Sequence, residues 1–256
     1  AFEGVALHDP STTIRLELSS KGLTAQVLGP GSRWLIDPVK GLSPEFARSY
    51  KYSRSFQPKD KAFCELESTG FFGAGSAPSK NFSETTRRAR SSGDSIKTYR
   101  LAVATTGEYG VYHGGTTASA LEAVVATINR VDGIFATELA IRFQLVEDND
   151  VIVFADPVTD PFTGNDDEGT LINQSQEQID LLIGTENYDV GHTLSTGAGG
   201  LAGLGVVCRE GGKAEGVTGS SRPEGDFFDV DFVAHELGHQ FNADHTWNGK
   251  NGDCGA

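Results

Sequence analysis

Methionine is absent from this chain, and only three cysteines and two tryptophans occur among its 256 residues. Basic side chains are also scarce: 21 Lys and Arg stand against 35 Asp and Glu, a formal net charge of −14. That deficit argues against nucleic acid and anionic membrane surfaces as partners, because like charges repel. No apolar run approaches the length of a membrane span, so none is expected. The start, Ala1-Phe-Glu, has neither an initiator methionine nor a charged segment leading into an apolar stretch. The chain is therefore expected to begin inside a longer precursor, and the missing leader does not count against export. An odd set of cysteines (Cys64, Cys208, Cys254) leaves a free thiol or partners beyond the chain. Glycine, by contrast, is plentiful at 32 residues, as expected of a loop-rich fold containing β-strands. The length allows one or two domains with a sizeable core.

The most informative stretch is 235–245, His-Glu-Leu-Gly-His-Gln-Phe-Asn-Ala-Asp-His. His235 and His239 are four apart, so a helix projects both from one face, where they can hold one metal ion. Glu236 follows the first of them and can polarise water at the metal. His245 comes six residues after His239, far enough for the helix to end and the chain to fold back. Three nitrogens leave a fourth position open, which suits catalysis; a structural zinc site would close all four and lean on cysteine.

The string resembles the extended zinc-binding motif of the metzincin metallopeptidases, H-E-x-x-H-x-x-G-x-x-H. Within that clan it is most similar to the reprolysin (adamalysin-like) branch in its bacterial secreted form. Gly200-Leu-Ala-Gly-Leu-Gly-Val-Val-Cys208, Gly216-Val-Thr-Gly219 and Asp229-Val-Asp-Phe-Val-Ala-His235 carry the likeness upstream. The resemblance implies an α+β zincin-type catalytic domain, one catalytic Zn2+ held by His235, His239 and His245, and Glu236 as general base in peptide hydrolysis. It implies protein or peptide substrates and a secreted enzyme made as a zymogen. Two departures stand out. The family glycine falls at Asn242, the next best residue for a left-handed turn. The family's methionine turn has no counterpart, and it is expected beyond Ala256.

Residues 1–63 read as a β-rich unit. Thr13-Ile-Arg-Leu-Glu-Leu18 alternates, and 23–28 and 32–38 follow as further strands, which predicts a small antiparallel sheet. The unit resembles the proregion of such enzymes and implies an intramolecular inhibitor; a folding aid is the other role it fits. Residues 64–95 read as a switch cysteine followed by a Gly- and Ser-rich linker. Arg87-Arg-Ala-Arg90 within it is either a site of proteolytic release or an ordinary solvated charge run. Residues 96–256 are expected to form the catalytic domain, truncated at its C-terminus. Strands are predicted at 99–105, 140–146, 150–154, 188–195 and 203–207. Helices are predicted at 116–135, 175–183 and 229–241.

Other residues carry more than one reading. Cys64 could ligate the open zinc position as a thiolate and hold the enzyme latent, like the cysteine switch of metzincin precursors; a disulfide or a buried thiol are its alternatives. Cys208 and Cys254 could bridge across the zinc helix, or each could pair outside the chain. The resemblance makes 200–205 an edge strand of the cleft, with Gly200, Leu201 and Ala202 receiving a substrate strand; a flexible glycine-rich loop is the other reading. The acidic stretches 147–150 and 165–168 could bind Ca2+ or be solvated loops. His113 and His192 read as packing or surface residues. Asn81 and Asn173 fit a glycosylation pattern too short to carry weight. The function expected is a zinc-dependent endopeptidase; a secreted zinc-binding module without catalysis is the alternative.

Overall fold

The computed structural model describes residues 1–30, 32–52, 64–67, 95–197 and 199–245. Two sheets organise the chain. The first is antiparallel in the order β1-β2-β3-β4-β5: β1 (Phe2–Ala6), β2 (Asp9–Ser19), β3 (Gly22–Gly29), β4 (Ser32–Pro38) and β5 (Ala47–Lys51). The three strands expected from alternation are its centre. The two flanking strands lack a clean apolar alternation, because they are edge strands with mostly exposed side chains.

The second sheet is mixed, in the order β6-β10-β11-β9-β7-β8. It comprises β6 (Cys64–Glu67), β7 (Lys97–Thr105), β8 (Ile141–Leu145), β9 (Val190–Ser195), β10 (Gly200–Gly203) and β11 (Gly216–Gly219). Here β7, β8, β9 and β11 run parallel, while β10 runs against β11 and parallel to β6. Helices α1 (Gly107–Tyr112) and α2 (Thr117–Leu139) connect β7 to β8, and α3 (Glu168–Leu182) precedes β9. Thr116 caps α2 by accepting from Ser119 N at 3.1 Å, and Ala140 ends it in the left-handed region at φ 54. None of the described helices is long and apolar enough to cross a membrane.

Alternation along β7 splits the core in two. Leu101 and Val103 face α2 and the last helix, α4 (Ala234–Gln240), in a cluster with Val124, Val131, Phe228 and Leu237. Ala102 and Ala104 face the other way, toward Leu171, Ile172 and Ile179 of α3.

Four predicted elements differ, among them the helix placed at 175–183, which already starts at Glu168. Residues 150–154 do not form a strand: Asn149–Ile152 is a 3-10 turn, pulled inward because Asn149 bonds both Val103 N (2.8 Å) and Val103 O (2.9 Å). The strand placed at 203–207 lies earlier, at Gly200–Gly203; Gly205 N and Val207 N instead donate to His239 O and Gln240 O at the end of α4. The single helix expected over 229–241 is two: a π-helix over Phe227–Val233, then α4.

The first sheet packs on α2 through a polar interface. Arg15 reaches Asp132 at 2.9 Å, and Arg33 reaches Asp226 at 2.8 Å. Arg130 on α2 bridges Asp37 of β4 and Asp229 of the π-helix. Gly133 lets the sheet come close, since a Cβ there would lie 2.9 Å from Arg15 Cγ. Burial pushes Asp226 up to about 6 and also raises Asp229. Burial opposes the charge on Arg130, but Asp229 and Asp37 outweigh it and hold that guanidinium above its ordinary pKa.

Candidate metal centre

Helix α4 presents His235 and His239 one turn apart while Leu237 is buried in the core. The helix ends at Asn242, which takes the left-handed conformation at φ 71 that the sequence requires of it. Asn242 N donates to His239 O at 2.8 Å and Ala243 N to Gly238 O at 2.9 Å, closing the last turn. Gly205 N also donates to His239 O, at 3.0 Å. The chain then doubles back and delivers His245.

The three imidazoles converge. Nε2 of His235 lies 3.0 Å from Nε2 of His239 and 3.1 Å from Nε2 of His245, and the third side of the triangle is 3.1 Å. A tetrahedral zinc with Zn–N bonds of about 2.0–2.1 Å needs nitrogens roughly 3.3 Å apart, so the triangle is within a few tenths of an ångström of what the ion demands. His239 Nδ1 donates to Ala243 O at 2.6 Å, which leaves its Nε2 with a lone pair aimed at the centre. Three imidazole nitrogens gathered this closely form a donor set that fits a divalent cation of zinc's character. Burial, then the nearness of His239 and His245, pushes His235 down to about 4, and burial likewise lowers His245. Both rings are therefore neutral near pH 7, the form that ligates metal. Among the described residues these histidines are the one group of three or more His, Cys, Asp or Glu whose ligand atoms come together. In the acidic stretch at 165–168, Asp167 stands at the start of α3 and accepts from Thr170 Oγ1 at 2.7 Å.

Residues 95–256, well over half of the chain, match the metallo-peptidase family M12B, reprolysin-like. The chain belongs to that family. A comparison with curated proteins finds no match.

The other residues of this reprolysin-like site fall as follows. Glu236 is fully buried and packs against the backbone of Gly200 on β10. Leu201 and Ala202 are buried on the same strand, which pairs with β11 on one side and β6 on the other. In that last pairing Cys64 stands opposite Gly200. Cys208 is exposed at φ 61 and makes no disulfide with a described residue; Cys254 and Arg87–Arg90 lie outside the described residues.

Two supports of the zinc helix were not anticipated. Gln240 donates to Gly191 O at 2.8 Å and accepts from His192 Nδ1 at 3.0 Å, and His192 Nε2 meets Thr218 Oγ1 at 2.9 Å. His192 is thus a packing residue, as expected, but one that ties α4 to β9 and β11. A polar residue inside the apolar strand at 188–195 was the available signal. Asp229, six residues before His235, accepts from Thr127 Oγ1 at 2.7 Å and from Arg130 Nη1 at 3.0 Å. It anchors the π-helix that runs directly into α4; such segments recur at functional sites.

Proposed function

We propose that this metallopeptidase is a secreted zinc endopeptidase of the bacterial type, here with its inhibitory proregion attached. The observation that carries the reading is the triangle of Nε2 atoms, with one ring's tautomer set by Ala243 O. His235, His239 and His245 would hold the zinc. When bound, that ion polarises a peptide carbonyl and makes water easier to deprotonate. Glu236 takes the proton from the attacking water and passes it to the leaving amine. Its burial serves this role, because a carboxylate screened from bulk solvent acts more strongly on a nearby proton. The edge of β10 that β6 now occupies would receive the substrate as an added strand once β6 leaves it.

The same geometry supports latency. β6 occupies the edge of β10 that a substrate strand would use, and its Cys64 is in register with Gly200, the residue against Glu236. A Cys64 thiolate would take the zinc position needed for water. Replacing Cys64 with Ser is expected to raise the basal cleavage rate of the uncut chain severalfold; an unchanged rate would remove the switch. The polar build of the interface between the first sheet and α2 fits a unit that can come away. The reading as a whole is tested by metal analysis: one zinc per chain, with peptide cleavage lost on chelation and restored by zinc. A folded chain that takes up no zinc would overturn it.

A further inference from the structure

We infer that Gly200 is a positioning residue for Glu236: the absent side chain at the start of β10 makes the room in which that carboxylate sits. The inference rests on the peptidase reading, with Glu236 as its base, and adds a second residue to that function.

Gly200 is not needed for its backbone, since it is not among the residues of positive φ and any amino acid could adopt its strand conformation. Its use is space. A Cβ at Gly200 would lie 2.5 Å from Glu236 Cδ, 2.8 Å from Glu236 Cγ and closer still to Oε1. Neither partner can retreat as a unit. β10 is paired on both sides, with Gly200 opposite Thr218 and Cys64. α4 is pinned by buried Leu237 and by the Gln240 bonds to β9. What can yield is the end of the Glu236 side chain, which is the group that must meet the water. An alanine would therefore turn the carboxylate aside and leave the histidine triangle in place.

The experiment is a double-mutant cycle in the full chain. Gly200→Ala is expected to lower the thermal midpoint by about 5 °C or more, while in a Glu236→Ala background the same change should move it by only about a degree. Zinc content should stay at one per chain in all four proteins. In peptide cleavage, Gly200→Ala should lower kcat on the order of 100-fold with KM little changed. Glu236→Asp, which retracts the carboxylate, should recover about tenfold of that loss in the Gly200→Ala chain. Additive thermal shifts would overturn the inference, as would a raised KM with unchanged kcat, the mark of a glycine that only admits substrate. Should Gly200→Ala fail to fold, Gly200→Ala with Glu236→Ala must fold, and its failure overturns the inference as well. A coupled thermal cycle alongside a fully active Glu236→Ala chain would instead remove Glu236 as the base of the proposed reaction and leave the contact standing.

Discussion

Glu236→Gln is expected to reduce peptide cleavage by about 10²–10⁴-fold while the chain keeps its zinc. The amide has nearly the shape of the carboxylate, so it can fill the same space beside Gly200. The three ligating nitrogens come from other side chains and remain 3.0–3.1 Å apart. What is lost is the ability to accept a proton from water. Steady-state rates on an unstructured peptide, with zinc measured on the same samples, check the expectation. A variant with near-parental kcat would mean that Glu236 moves no proton. Loss of zinc together with activity would mean that it holds the site together instead.

The second large effect concerns acid. His192 is fully buried, and burial pushes it down to about 4 from an ordinary 6.5. A pKa depressed by folding means that the unfolded chain binds the proton more readily. The stability contributed is therefore complete above pH 6.5 and is lost as the pH falls through 4. A gap of that size is worth about 3 kcal/mol at most. Asp226, pushed up to about 6, works in the opposite direction, because its folded form binds the proton first. The informative quantity is therefore a difference between two chains. Denaturant unfolding at pH 7 and pH 4 should show a smaller acid loss for His192→Gln than for the parent. Equal losses would mean that the ring is protonated inside the fold.

Much of this could be read in the sequence, for reasons that are themselves physical. The motif at 235–245 is local, so spacing alone places its side chains, and the convergence of three rings follows from one helix and one turn. Strong alternation made the central strands β2, β3 and β4 legible, and the apolar stripe of α2 did the same for that helix. The remainder depends on partners remote in sequence. Asp229 sits in a π-helix because Thr127 and Arg130, about a hundred residues earlier, meet it there. Asn149 replaces a strand with a 3-10 turn because β7 offers it both an N–H and a carbonyl. The Gln240–His192–Thr218 chain joins three elements with no shared local pattern. Gly200 shows the same limit: its value is set by what occupies the space its hydrogen leaves, which spacing does not encode.

The seam between the first sheet and α2 has one more consequence. Arg15, Arg33, Arg130, Asp37, Asp132 and Asp226 are held there by charge, and water can solvate each of them once they part. Pulling the two units apart would bare a wettable face on each rather than a sticky apolar one.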